Sequence, residues 1–179
     1  YQLHLIYLWY EHRPARAIEL LHGLQQHYPG NPLFPALVAD VQDAYLHDIT
    51  ASLDSWRRLL ALARQHRINF PALAETEARL GAAKQLTALQ LTDDAIELLE
   101  AVVAQQPAAP YSSLAQAYLR LGEAHDRLGS RDAAVLAYKR AAAAAPSDDR
   151  YDIRARAEDL ARRVSDAMQE AFLQKRLPT

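Results

Sequence analysis

Chemistry in a protein needs acids, imidazoles, thiols or activated hydroxyls at fixed spacings, and this chain offers few of them. The most suggestive run is Asp93-Asp94-Ala95-Ile96-Glu97, paired acids with a third about one turn on. Such a run could hold a divalent cation and a diphosphate if a second acidic motif faced it from another long helix, and none does. The structural alternative is that Thr92 caps a helix and the acids complement its positive end. Seven histidines, at positions 4, 12, 22, 27, 47, 66 and 125, are scattered, and none forms an i, i+4 pair around a glutamate. Ser112-Ser113 and Ser130 lack the glycine-flanked elbow that exposes a nucleophile. Cysteine is absent, which removes disulfides, thiolate metal sites and thiol nucleophiles. Five glycines leave no phosphate-cradling loop. On these residues the chain is not an enzyme, and no catalytic, metal or cofactor-binding side chain is assigned.

The elements that would position any site are easier to read. At 179 residues the chain is one domain or one run of repeats. A net charge of −2 argues against a nucleic-acid partner, which calls for a basic surface. No stretch reaches the ~18 apolar residues of a membrane span. The chain opens at Tyr1 in what reads as the middle of a buried helix, so we expect a fragment of a longer protein, with its compartment left open. Breaks fall at His12-Arg13-Pro14, Tyr28-Pro29-Gly30-Asn31-Pro32, His47-Asp48, Arg67 to Pro71, Thr92-Asp93-Asp94, Gln106 to Pro110, Gly129-Ser130 and Pro146-Ser147. Pro14 suits the first turn of a helix, while Asn31 and Asp48 are suited to capping the helices that follow them. Between the breaks lie about nine segments with apolar spacings of three and four and no strand alternation, which predicts an all-α fold of antiparallel neighbours.

From Tyr118 the order Tyr118, Leu121, Gly122, Ala134, Tyr138, Ala141, Pro146 resembles the tetratricopeptide repeat, with His125 at a usual tyrosine place. Looser copies carry Ala17, Leu21, Leu24 and Pro29, then Ser52, Trp56 and Leu59, then Ala95, Leu99, Val102 and Pro107. The small residues Ala17, Ser52, Ala95 and Ala134 recur at intervals of 35, 43 and 39, longer than the common period of about 34. Gly122 and Ala134 are expected where two helices cross, with Tyr138 filling the gap toward the next repeat. The resemblance implies a right-handed superhelix of about four helical hairpins over residues 1–146. A long capping helix is expected to follow within 147–179, from Ser147 to about Lys175, with an apolar stripe through Met168 and Phe172.

The resemblance also implies a function: a scaffold that binds a protein or peptide partner in its concave groove, with no cofactor. Carried over by position, the groove would present Gln2, Ile6, Trp9 and Tyr10, then Phe34, Leu37, Val41 and Tyr45. Further along it would present Leu80, Lys84 and Thr87, then Leu119, Glu123, Asp126 and Arg127. The candidate partner-binding set drawn from these is Trp9, Tyr10, Phe34, Tyr45, Lys84, Glu123, Asp126 and Arg127. Glu123 and Asp126 oppose the capture of a C-terminal carboxylate. The alternative is a structural domain that oligomerises through its terminal helices, with a homodimer formed through the C-terminal one.

Overall fold

Proline and capping side chains set most helix starts, and left-handed residues set most helix ends. The computed structural model describes residues 2–174. Among the described residues the chain forms nine α-helices and no strand. They are α1 (Leu3–Trp9), α2 (Pro14–His27), α3 (Leu33–Ala44), α4 (Ile49–Arg64) and α5 (Pro71–Ala88) in one compact unit, 1–90. A second unit, 91–179, holds α6 (Thr92–Gln105), α7 (Ser113–Arg127), α8 (Arg131–Ala144) and α9 (Ile153–Gln174). The helices expected to form the third hairpin, α5 and α6, fall in different units.

Pro14 and Pro71 occupy first-turn positions, where the missing N–H costs nothing. The Ala51 N–H donates to Asp48 Oδ1 at 2.9 Å and the Leu33 N–H to Asn31 Oδ1 at 3.0 Å, as the sequence suggests. Gly129, at φ 74°, closes α7: its N–H donates to the Asp126 carbonyl and the Ser130 N–H to the His125 carbonyl. His66 closes α4 in the same way at φ 52°.

Two expected starts are corrected. Thr92 is the first residue of α6, buried, and makes no side-chain cap. The last helix starts at Ile153 rather than Ser147, because Asp149 does the capping: Oδ1 accepts from the Ile153 N–H at 3.0 Å and Oδ2 from the Arg154 N–H at 2.8 Å. The expected end at Lys175 lies outside the described residues.

In the first unit each helix packs on the next, α1 on α2 through α4 on α5. Leu8, Ala17, Leu21, Phe34, Val38 and Val41 form the α1–α3 core. Further on, Ser52 Oγ donates to the Ala39 carbonyl at 2.9 Å across the α3–α4 crossing. The Trp56 indole of α4 lies over Gly81 of α5 so closely that a Cβ there would sit 2.3 Å from Cε2.

In the second unit α6 packs on α7, α7 on α8, and α9 on α8 with a smaller contact to α7. Ala115, Leu119, Ala134, Tyr138, Ala141, Ile153, Ala157 and Val164 form its core. The recurring small residues Ala17, Ser52, Ala95 and Ala134 are fully buried, and each stands fourth in its even-numbered helix. Gly122 does meet α8, but through the Tyr138 ring: a Cβ at Gly122 would lie 2.4 Å from Cδ1. Tyr138 thus fills a gap within its own hairpin as well as packing toward α9.

Candidate functional site

The odd-numbered helices carry the side chains named above as partner-binding, and the structure sorts those side chains into three groups. Phe34 is corrected to a core residue, only 5 % exposed, with its ring 6.3 Å from that of Tyr28. An apolar residue two places into α3 can turn either to the surface or to α2, and the α2 apolar stripe of Ala17 and Leu21 claims it. Val41 is buried in the same core, and Leu80 and Leu119 are buried as well.

The second group stays on the surface of the first unit. Trp9 is 58 % exposed at the end of α1 and Tyr10, its C-cap, 79 %. Trp9 Nε1–H donates to Tyr45 Oη at 3.0 Å, which ties the end of α1 to the end of α3 and leaves both rings open. On the other flank of α3, Lys84 Nζ of α5 donates to Asp43 Oδ2 at 2.5 Å. Lys84 is therefore already engaged with a carboxylate that sequence reasoning passed over.

Asp40 and Glu77 complete this face. Surrounding protein pushes the Asp40 carboxyl above its ordinary range, with the Lys84 charge pulling back and Asp43 pushing further. Burial raises the Glu77 carboxyl as well, with the Asp40 charge adding to it. Burial opposes ionisation at Asp43 too, but hydrogen bonds from Lys84 and Gln85 and the Lys84 charge outweigh it and hold that carboxyl low. The visible signal for Asp40 and Asp43 is two acids three residues apart in the helix Leu33–Ala44, whose other residues apart from Gln42 are apolar.

The third group lies in the second unit. Arg156 Nη2 of α9 donates to Glu123 Oε1 of α7 at 2.5 Å. Asp126 and Arg127 are exposed at the end of α7. The polar link between successive odd-numbered helices thus recurs: Trp9–Tyr45, Asp43–Lys84 and Glu123–Arg156. The turn before α9 is tied to the turn before α7 by Tyr111, whose hydroxyl donates to Asp148 Oδ1 at 2.7 Å and accepts from the Arg150 N–H at 3.2 Å. His125 is half-buried and lines a groove of about 320 Å³ with Tyr118, Leu121, Val103 and Leu136.

Asp93 and Asp94 are exposed in the first turn of α6, where they complement its positive end. Among the described residues no group of three or more His, Cys, Asp or Glu side chains could hold a metal ion. Nor is any described helix long and apolar enough to cross a membrane.

No curated protein and no solved structure matches this chain. A family match covers one stretch, from the first turn of α7 through α8 to the turn beyond it. It contains Tyr118, Gly122, Ala134, Tyr138 and Pro146, and with them the close approach of Gly122 to the Tyr138 ring described above. Residues 116–148 are a tetratricopeptide repeat, set in an all-helical repeat fold.

Proposed function

We propose that the chain is a non-catalytic protein-interaction module that receives a segment of a partner protein on the face formed by α1, α3 and α5. Tetratricopeptide repeats are generally protein-interaction modules, and one lies in this chain. The observation that carries the reading is the Trp9–Tyr45 pair: two large rings joined by a hydrogen bond and open to solvent. Exposed aromatics lose little conformational entropy on binding and dominate the energetics of interfaces. Tyr10 extends the same apolar edge. Asp126, Arg127 and the engaged Glu123 belong to the second unit and are secondary in this reading.

The test is site-specific cross-linking. A photoactivatable phenylalanine replaces Tyr10, and in a separate variant Phe172, in the full-length parent protein. A partner cross-linked through position 10 supports the reading, and its loss on Trp9→Ala strengthens it. Cross-links that form only at position 172 would overturn it.

A second reading has its own observation. Beyond Met168, which still packs against the core, the last six residues of α9 are exposed, with Phe172 and Leu173 about half exposed. Such a stripe could pair with a second copy through the C-terminal helix. Sedimentation of the wild type against a Met168→Lys, Phe172→Glu variant decides this: a dimer lost with helicity retained supports it, and a monomeric wild type at high concentration removes it.

A further inference from the structure

We propose that the groove lined by α6, α7 and α8 takes a bulky apolar side chain of a partner protein whose segment carries an aspartate or glutamate close by. The groove lies wholly inside the second unit, so the proposal stands apart from the reading of the α1/α3/α5 face. α7 packs on both α6 and α8, and each of the three helices turns one stripe to the opening. Tyr118, Leu121 and His125 recur at i, i+3 and i+7 on α7, while Leu136 and Arg140 stand one turn apart on α8. Leu121 is buried, and Leu136, 50 % exposed, adds an apolar wall that water still reaches.

Size and openness select the occupant. A volume of about 320 Å³ is near the lower end for a ligand site, and it has room for a large side chain but not for a helix. Glu100, Leu136 and Arg140 are exposed, so a free small molecule would keep much of its surface wet. A side chain that projects from a partner brings its own backbone as cover.

Charge decides the rest. Arg140 Cζ lies 6.0 Å from the centroid of the Tyr118 ring, which places the guanidinium at the groove. Among the described residues Arg140 has no carboxylate partner, and a ring face orients a guanidinium without neutralising it. Its fork of donors is open to bidentate capture of a carboxylate. The opposing charge, Glu100 on α6, also has no ion pair among the described residues, and it turns an incoming anion toward Arg140. A cationic occupant would have to choose Glu100, which no ring orients.

The purified chain is panned with a random dodecapeptide phage library, and clones that also bind a Leu136→Glu variant are discarded. That substitution sets a carboxylate one turn before Arg140 at a half-exposed site. Far-UV circular dichroism checks its fold, and Arg140→Gln serves for the same discard if helicity is lost. Surviving sequences are expected to share a leucine, methionine or aromatic residue within about four residues of an aspartate or glutamate. A synthetic peptide of the strongest sequence is then followed by fluorescence anisotropy. Its affinity should fall about tenfold with Arg140→Gln and less with Arg140→Lys, and should hold or rise with Glu100→Gln. Phenylbutyrate, a free acid with an apolar body, should bind at least about tenfold more weakly than the peptide.

Surviving sequences that are basic or lack an acid, or no survivors at all, overturn the proposal. So does an affinity indifferent to Arg140→Gln, or one that falls with Glu100→Gln instead. If phenylbutyrate binds as tightly as the peptide, the groove is a site for small acids and the partner claim fails.

Discussion

Replacing Gly122 by alanine separates packing from helix propensity with a single methyl group. The added Cβ would lie 2.4 Å from both Cδ1 and Cε1 of Tyr138 and 2.9 Å from Cζ. Carbon atoms in contact prefer about 3.5–4.0 Å, so the ring must retreat by about 1 Å. It has little room, because Tyr138 is 1 % exposed within a core shared with α9. Overpacking of this kind costs ~1–3 kcal/mol, and a ring confined on all sides belongs in the upper half of that range. Alanine recovers ~0.8–1.0 kcal/mol of helix propensity, which leaves a net loss of about 1–2 kcal/mol. Gly23, inside α2, is the control: no atom lies within 4 Å of its built Cβ, so Gly23→Ala should stabilise by ~0.8–1.0 kcal/mol. Urea titrations followed by far-UV circular dichroism should move in opposite directions for the two variants. Trimming the ring with Tyr138→Leu should remove most of the Gly122→Ala penalty, a coupling of about 1 kcal/mol or more. The crossing geometry would be refuted if Gly122→Ala raised the midpoint as Gly23→Ala does, or if its cost were the same with Leu at position 138.

Three further expectations concern ends, turns and protons. Asp149→Ala removes both cap acceptors of α9 and should cost ~1 kcal/mol, seen as a lower Tm. Gly129→Ala meets no atom but must hold φ 74°, so a loss of ~1–2 kcal/mol by urea titration would come from the backbone alone. Burial first, then the Asp126 and Glu123 charges, pushes the Tyr138 phenol from 10.0 up to about 12. The folded state favours the neutral phenol, so its contribution is complete below pH 10.0 and is lost as the pH rises through about 12. The loss is on the order of 2–3 kcal/mol, and Tyr138→Phe should flatten that part of the stability profile.

Helix order was legible in the sequence because proline, asparagine and aspartate punctuate it locally, and the buried series Ala17, Ser52, Ala95, Ala134 was legible as a repeat. Orientation was harder. Phe34 and Tyr45 read alike as aromatics on one helix, yet one is core and the other open, because the deciding neighbours, Leu21 and Trp9, come from other helices. The start of α9 lies later than Ser147 because Ser147 and Asp149 are both good caps by residue type, and the turn at 146–152 is fixed by partners distant in sequence, Tyr111 on Asp148 and Arg154 on the Ala145 carbonyl. Asp40, Asp43 and Glu77 were passed over because isolated acids on a helix usually mark a solvated face. Their meaning comes from α3 and α5 lying side by side, bridged by Lys84.

The most direct test of the docking face is the pair of indole N–H resonances, one from each tryptophan of the chain. Trp9 Nε1–H is exposed and bound to Tyr45, while Trp56 is buried over Gly81, so the two report on the face and on the interior. In a proton–nitrogen correlation spectrum, titration with the partner segment should shift the Trp9 indole signal and the amides around Tyr45 and Lys84. The Trp56 indole should stay in place. A titration that saturates while Trp9 does not move, with shifts confined to Met168 and Phe172 on α9 or to the even-numbered helices, would contradict the account.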